Sequence, residues 1–152
     1  MRFLLVDRIL ELESGQRARA VKNVTLSEDL FTHHFPEQPL MPGTLLLECM
    51  VQVADALIRE ASDFEYLGLL TQVGRLRLRR IVTPGDQVEL EVNLKSSDGE
   101  LRGFGGQARV SGVVSASAEF TLSRRPLADF ESRSEARRLF GLLQPRAIIE
   151  VE

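Results

Sequence analysis

Hydrophobic and polar positions change their period along the chain. From Phe3 to Thr25 apolar and β-branched residues mix with polar ones around Ser14-Gly15, a turn signal. That pattern predicts two antiparallel strands, over 4–13 and 16–25. From Leu26 to Pro42 the periodicity is lost. Pro36, Pro39 and Pro42 follow one another closely there, each fixing its own φ and restricting the residue before it, so a rigid loop is expected. The next segment, from Gly43 or Thr44 to Ala61, reads as a helix that is apolar nearly all round, as a buried helix is. Its polar exceptions, Glu48, Gln52 and Asp55, are spaced four and three apart and so share one stripe.

Beyond a loop around 63–68, alternation returns over 69–81, 87–96, 101–110 and 113–123. Turn signals separate these strands at Pro84-Gly85-Asp86, Ser97-Asp98-Gly99 and Ser111-Gly112. Two strands, one buried helix and four strands predict an α+β fold with one antiparallel sheet curled around the helix. The expected division is a domain over 1–125 and a C-terminal extension over 126–152. In the extension, Ser132 and Glu135 form a capping-box pattern. Ala136, Leu139, Phe140 and Leu143 have helical spacing, which predicts one short amphipathic helix.

A length of 152 residues suits one domain with one core. No apolar run approaches the ~20 residues of a membrane span, and charge arrives too early at the start for a secretory signal. The cytoplasm is the expected compartment. The single cysteine, Cys49, excludes an internal disulfide framework and a cysteine-cluster metal site. A net charge of -3 argues against bulk nucleic-acid binding. Within that balance the only lysines are Lys22 and Lys95, and the arginines cluster at Arg75, Arg77, Arg79 and Arg80. Alternation places Arg75, Arg77 and Arg79 on one strand face, where like charges call for screening or a bound counter-charge.

The chemistry concentrates between Phe31 and Gln52. Both histidines, His33 and His34, sit in the proline-stiffened loop. The loop feeds a buried helix whose first turn offers free N–H groups to a developing oxyanion. One turn further in, Glu48 projects a carboxyl from an apolar surface. An imidazole base, a carboxylic acid and a carbonyl-polarising helix start are the parts needed to remove a proton α to a carbonyl and expel a β-hydroxyl.

The run His34-Phe35-Pro36-Glu37-Gln38-Pro39-Leu40-Met41-Pro42-Gly43, with Glu48-Cys49-Met50-Val51-Gln52 after it, closely resembles the signature of the 3-hydroxyacyl-[acyl-carrier-protein] dehydratases of type II fatty-acid synthesis. Phe3 to Glu11 and Ala20 to Thr25 resemble that family's opening hairpin, and Arg79 to Asp86 its arginine-rich strand and Pro-Gly-Asp turn. The resemblance spans about residues 2–123.

It implies a hot-dog fold with His34 as the catalytic base and Glu48 as the catalytic acid. Gly43 would polarise the thioester carbonyl, with Thr44 as a second donor, and Gln52 would accompany Glu48. It further implies conversion of a (3R)-3-hydroxyacyl thioester to the trans-2-enoyl thioester and water, with no metal or redox cofactor. The phosphopantetheine would arrive on the acyl carrier protein. A homodimer is implied, with His34 and Glu48 reaching one site from different subunits, and so is a possible trimer of dimers. Arg77, Arg79 and Arg80 become the expected docking patch for the acidic carrier. His33 and Glu37 stand where the family has glycines, and related bifunctional isomerases carry aspartate at the position of Glu48. A thioesterase on the same scaffold and a non-catalytic acyl-binding paralogue are the alternative readings.

Overall fold

The first hairpin forms, but it starts later than the pattern predicts. In the structure, a computed structural model describing residues 3–145, strand β1 covers Arg8–Glu13 and β2 covers Arg17–Asn23. The segment before β1 is held by a side chain instead of a neighbouring strand. Gln52 accepts the Leu5 N–H at 2.9 Å and donates to the Phe3 carbonyl at 3.1 Å. Pairing with β2 begins only at Asp7, whose N–H reaches Val21 O at 2.9 Å.

A short 3-10 turn, Asp29–Thr32, opens the proline-rich loop, and helix α1 then runs over Gly43–Ala61. Its inward face carries Leu46, Cys49, Met50, Val53, Ala54 and Leu57, all buried. Burying each larger aliphatic side chain contributes about 2 kcal/mol. The sheet floor beneath mixes large residues such as Leu90, Phe104 and Phe120 with small ones (Ala18, Ala20, Ala108, Ala116 and Ala118), and the small ones let the helix lie close against it. Gly106 shows how close: a Cβ there would come within 2.7 Å of Met50 Sδ.

The remaining strands are β3 (Tyr66–Leu78), β4 (Gln87–Asp98), β5 (Leu101–Val110) and β6 (Val113–Pro126). All six join in one antiparallel sheet of order β1-β2-β4-β5-β6-β3. Strand β3 begins and ends three residues earlier than predicted. At its start, Asp63 and Phe64 take positive φ and turn the chain sharply after α1. At its end, the Arg79 and Arg80 amides both donate to Ser115 O, which ends the regular ladder.

After β6 the chain makes a 3-10 turn, Leu127–Asp129, and helix α2 over Arg133–Leu143. The Ser132 hydroxyl accepts the Glu135 N–H at 3.2 Å, the capping contact the sequence suggested. Ala136 and Leu127 pack with Phe64 and Leu67 in a small second cluster, with Phe140 edge-on to Phe64 at 5.3 Å. Residues 1–2 and 146–152 of the two predicted ranges lie outside the described residues.

Candidate functional site

The loop carrying His34 is pinned at both ends. Before it, buried Lys22 meets the Glu28 carboxylate at 3.1 Å, and Glu28 also accepts the Thr25 N–H. After it, the Met41 N–H reaches Val82 O at 2.8 Å, and Phe31 and Met41 are both buried. Within the loop, the Leu40 N–H donates to the His34 carbonyl, and the His34 ring Nδ1 lies 2.9 Å from the Leu40 carbonyl oxygen. A carbonyl oxygen can only accept, so Nδ1 carries a hydrogen, and in the neutral ring the lone pair is on Nε2. Phe35 stacks on the His34 ring at 4.4 Å and further restricts it. His33 and Glu37 are exposed.

The start of α1 has no side-chain cap. The Gly43 and Thr44 amides belong to the first turn, whose N–H groups lack partners within the helix. A Cβ on Gly43 would overlap the methyl groups of Leu78 on β3, so a larger residue there needs either the exposed Leu78 side chain or the helix start to move. That contact sets Leu78, at the end of β3, against the helix start.

Glu48 is half-buried, and its Oε1 accepts from Gln52 Nε2 at 3.0 Å. One turn on, Asp55 receives the Arg59 guanidinium at 2.7 Å and the Gly68 N–H at 2.7 Å, while Arg59 also reaches Glu131 at 2.6 Å. Burial pushes the Asp55 carboxyl above its ordinary range, against the pull of Arg59 and the Gly68 amide. The predicted stripe of Glu48, Gln52 and Asp55 thus faces one groove of about 300 Å³, together with residues of α2. His34 does not line that groove. Burial also pushes the Cys49 thiol, on the inward face of α1, up to about 12.

The arginine row lies over the outer face of the sheet. Arg75, Arg77 and Arg79 line a concavity of about 730 Å³ there, shared with Lys95 but also with Glu91 and Glu119. Arg75 stands opposite Glu119 in the β3–β6 register. Arg80 is exposed outside it. The interleaved acids, the Leu40 carbonyl and the Lys22–Glu28 pair escaped the sequence reading. A backbone acceptor has no sequence signal, whereas a rare lysine inside a strand is a usable one.

Among the described residues, no group of three His, Cys, Asp or Glu side chains could hold a metal ion, and no helix is long and apolar enough to cross a membrane.

The family model of a FabA-like domain matches residues 1–119. The 3-hydroxyacyl-[acyl-carrier-protein] dehydratase FabZ of Paracidovorax citrulli (strain AAC00-1) is 43% identical over 130 residues, covering 83% of this chain and 89% of that protein. FabZ of Bacillus velezensis is 42% identical over 122 residues, covering 80% and 86%. Among solved structures, the hot-dog-like protein from Thermanaerovibrio acidaminovorans superposes with a TM-score of 0.64 at 18% identity, covering 83% of this chain and 93% of that one. A hypothetical thioesterase with coenzyme A from Streptococcus pneumoniae gives 0.62 at 11% identity, covering 78% and 85%. At such identities the likeness shows the hot-dog fold alone, which dehydratases and thioesterases share.

Proposed function

Since the chain belongs to the FabA-like family of 3-hydroxyacyl-[acyl-carrier-protein] dehydratases, we propose that it converts (3R)-3-hydroxyacyl carrier-protein thioesters to trans-2-enoyl thioesters and water in fatty-acid synthesis. The observation that carries the residue assignment is the fixed tautomer of His34, which leaves Nε2 as the base.

In this reading Nε2 takes a proton from the substrate's α-carbon. The electron pair released forms the Cα=Cβ bond, while the bond from Cβ to the hydroxyl oxygen breaks. Protonated Glu48 supplies the hydrogen with which that hydroxyl leaves as water, and transfer of the proton held by His34 back to Glu48 resets the pair. Gln52 occupies Glu48 Oε1, so Oε2 is the oxygen that delivers the proton. The Gly43 and Thr44 amides hold the thioester oxygen as negative charge develops on it. No electrons leave the substrate, so the chemistry requires no redox cofactor, and amide donors at the helix start serve in place of a metal.

Two features support a homodimer. The groove that Glu48 lines lacks His34, so a single chain offers the acid without the base in that groove. Among the described residues, strand β3 also pairs only with β6 and leaves Leu69, Leu70 and Val73 exposed at the sheet edge. The partner supplying the substrate is an acyl carrier protein. Arg77, Arg79 and Arg80 are its docking residues: Arg77 and Arg79 line the outer-face concavity and Arg80 is exposed, so all three guanidinium groups are open to an acidic partner.

The test follows enoyl formation and free thiol release from a 3-hydroxyacyl carrier-protein thioester. Enoyl product, lost in His34→Ala and in Glu48→Gln, is the expected result. Thiol release without enoyl product would instead make the protein a thioesterase.

A further inference from the structure

Helix α2 lies beyond the residues matched by the family model, yet it forms one wall of the groove that Glu48 lines. We infer that α2 sets the acyl chain length: Leu139, Phe140 and Leu143, facing Phe3 and Leu4, enclose the tail of the substrate's acyl chain beyond the reacting carbons. This inference rests on the dehydratase reading and specifies its substrate.

The groove has the composition of an alkyl site. Its walls are apolar, and its polar groups are already engaged with one another. Gln52 holds Glu48, and Arg59 is shared by Asp55 and Glu131. No charge in that cluster therefore calls for a charged ligand. Glu48 stands at one end, where the hydroxyl would leave, and the walls lead from it along α1. The acyl chain is the one part of the substrate that is apolar and attached at the carbon Glu48 serves.

The groove also has a limit. Asp55 follows Glu48 by seven residues, about 10 Å along the helix. At that point the lining changes to the Asp55–Arg59–Glu131 cluster, and an alkyl chain pressed there would strip water from charges without replacing it. A span of about 10 Å holds roughly eight extended carbons past the reacting ones. A 3-hydroxydecanoyl chain fits, whereas a 3-hydroxypalmitoyl chain overruns. The fold fixes this limit firmly, because Glu131 ties the extension to α1 and Ser132 caps α2.

The test compares kcat/KM for 3-hydroxybutyryl, 3-hydroxydecanoyl and 3-hydroxypalmitoyl carrier-protein thioesters in the full-length protein and in Leu143→Trp and Leu139→Trp. The unaltered protein is expected to prefer decanoyl over palmitoyl. Each tryptophan should lower the ratio of decanoyl to butyryl turnover by about tenfold or more. Butyryl turnover in the variants reports that they are folded and dimeric. An unchanged ratio, or an equal loss on both substrates, overturns the inference while leaving the dehydratase reading intact. No dehydration of any substrate by the unaltered protein overturns that reading itself. As a readout free of turnover, decanoyl-pantetheine thioether should bind the unaltered protein more tightly than it binds Leu143→Trp, and equal affinities would also count against the groove.

Discussion

Gln52 holds Glu48 with one end of its amide and the start of the chain with both. Its Nε2 donates to Glu48 Oε1 at 3.0 Å and to the Phe3 carbonyl, while its Oε1 accepts the Leu5 N–H. A carboxyl on a helix can rotate about its side-chain bonds, and this contact selects one orientation. Gln52 is therefore a positioning residue. Gln52→Leu should lower kcat by about tenfold or more with KM little changed, since it disorders an acid that works in the transition state. A rise in KM at constant kcat would assign Gln52 to substrate binding instead.

If the working site takes His34 from one subunit and Glu48 from the other, two inactive proteins can restore each other. His34→Ala and Glu48→Gln, each expected to lose about a hundredfold or more, should recover roughly one quarter of normal activity when refolded together in equal amounts. Random pairing makes half of the dimers mixed, and each mixed dimer keeps one intact site. No recovery on mixing would place both residues of a site in the same chain.

Gly43 and Leu78 form a steric pair that a double substitution can expose. Gly43→Ala should displace the helix start and cost up to about a hundredfold in kcat/KM, because small misplacements of reacting groups are expensive. Adding Leu78→Ala removes the obstruction and should return much of that loss. Strictly additive effects of the two substitutions would show that the clash is not what Gly43 avoids.

Arg79→Glu combined with Arg80→Glu should weaken turnover of carrier-bound substrate more than turnover of a small thioester mimic. The difference should shrink as salt is added, since exposed charges are screened. Equal losses on the two substrates at every salt concentration would remove the docking assignment.

Cys49 gives a prediction about stability. Its thiol is pushed up to about 12 by burial, from an ordinary value of 9.0, so the folded state holds a proton that the unfolded chain releases between those limits. Stability tied to this group is fully present below pH 9 and declines as the pH rises toward 12, by up to about 1.4 kcal/mol per pH unit. Denaturant midpoints measured across that range should fall less steeply in Cys49→Ala than in the unaltered protein. Thiol reagents should label Cys49 only on unfolding, and rapid labelling of the native protein would contradict its burial.

The elements that declared themselves in the sequence were those governed by local rules. Helix α1 begins where Pro42 hands over to Gly43, and α2 begins at the Ser132 cap, because proline geometry and capping are set by neighbours in the chain. Strand limits depend on partners far away. Strand β1 starts later than the pattern predicts because Gln52, remote in sequence, captures the backbone of Phe3 and Leu5. Strand β3 ends earlier than the pattern predicts because the Arg79 and Arg80 amides share Ser115 O. The stripe of Glu48, Gln52 and Asp55 was legible from helical spacing, and its members do line one groove. What faces that stripe, the wall supplied by α2, is a tertiary fact. The arginine row was legible as alternation, but Glu119, which β6 places opposite Arg75, was not.

Strand β3 has a consequence for how the protein must be handled by the cell. It is thirteen residues long, stands at the end of the sheet and shows Leu69, Leu70 and Val73 beside unpaired backbone groups. A newly made chain carries this adhesive border until something covers it, and during that interval it is a template for misassociation. Arg75 and Arg77 interrupt the apolar run at alternate positions, so stacking of identical strands in register would force guanidinium groups together. Arg75, the member of the row outside the docking set, thus guards the border against promiscuous adhesion, and replacing it with a neutral residue trades solubility for aggregation.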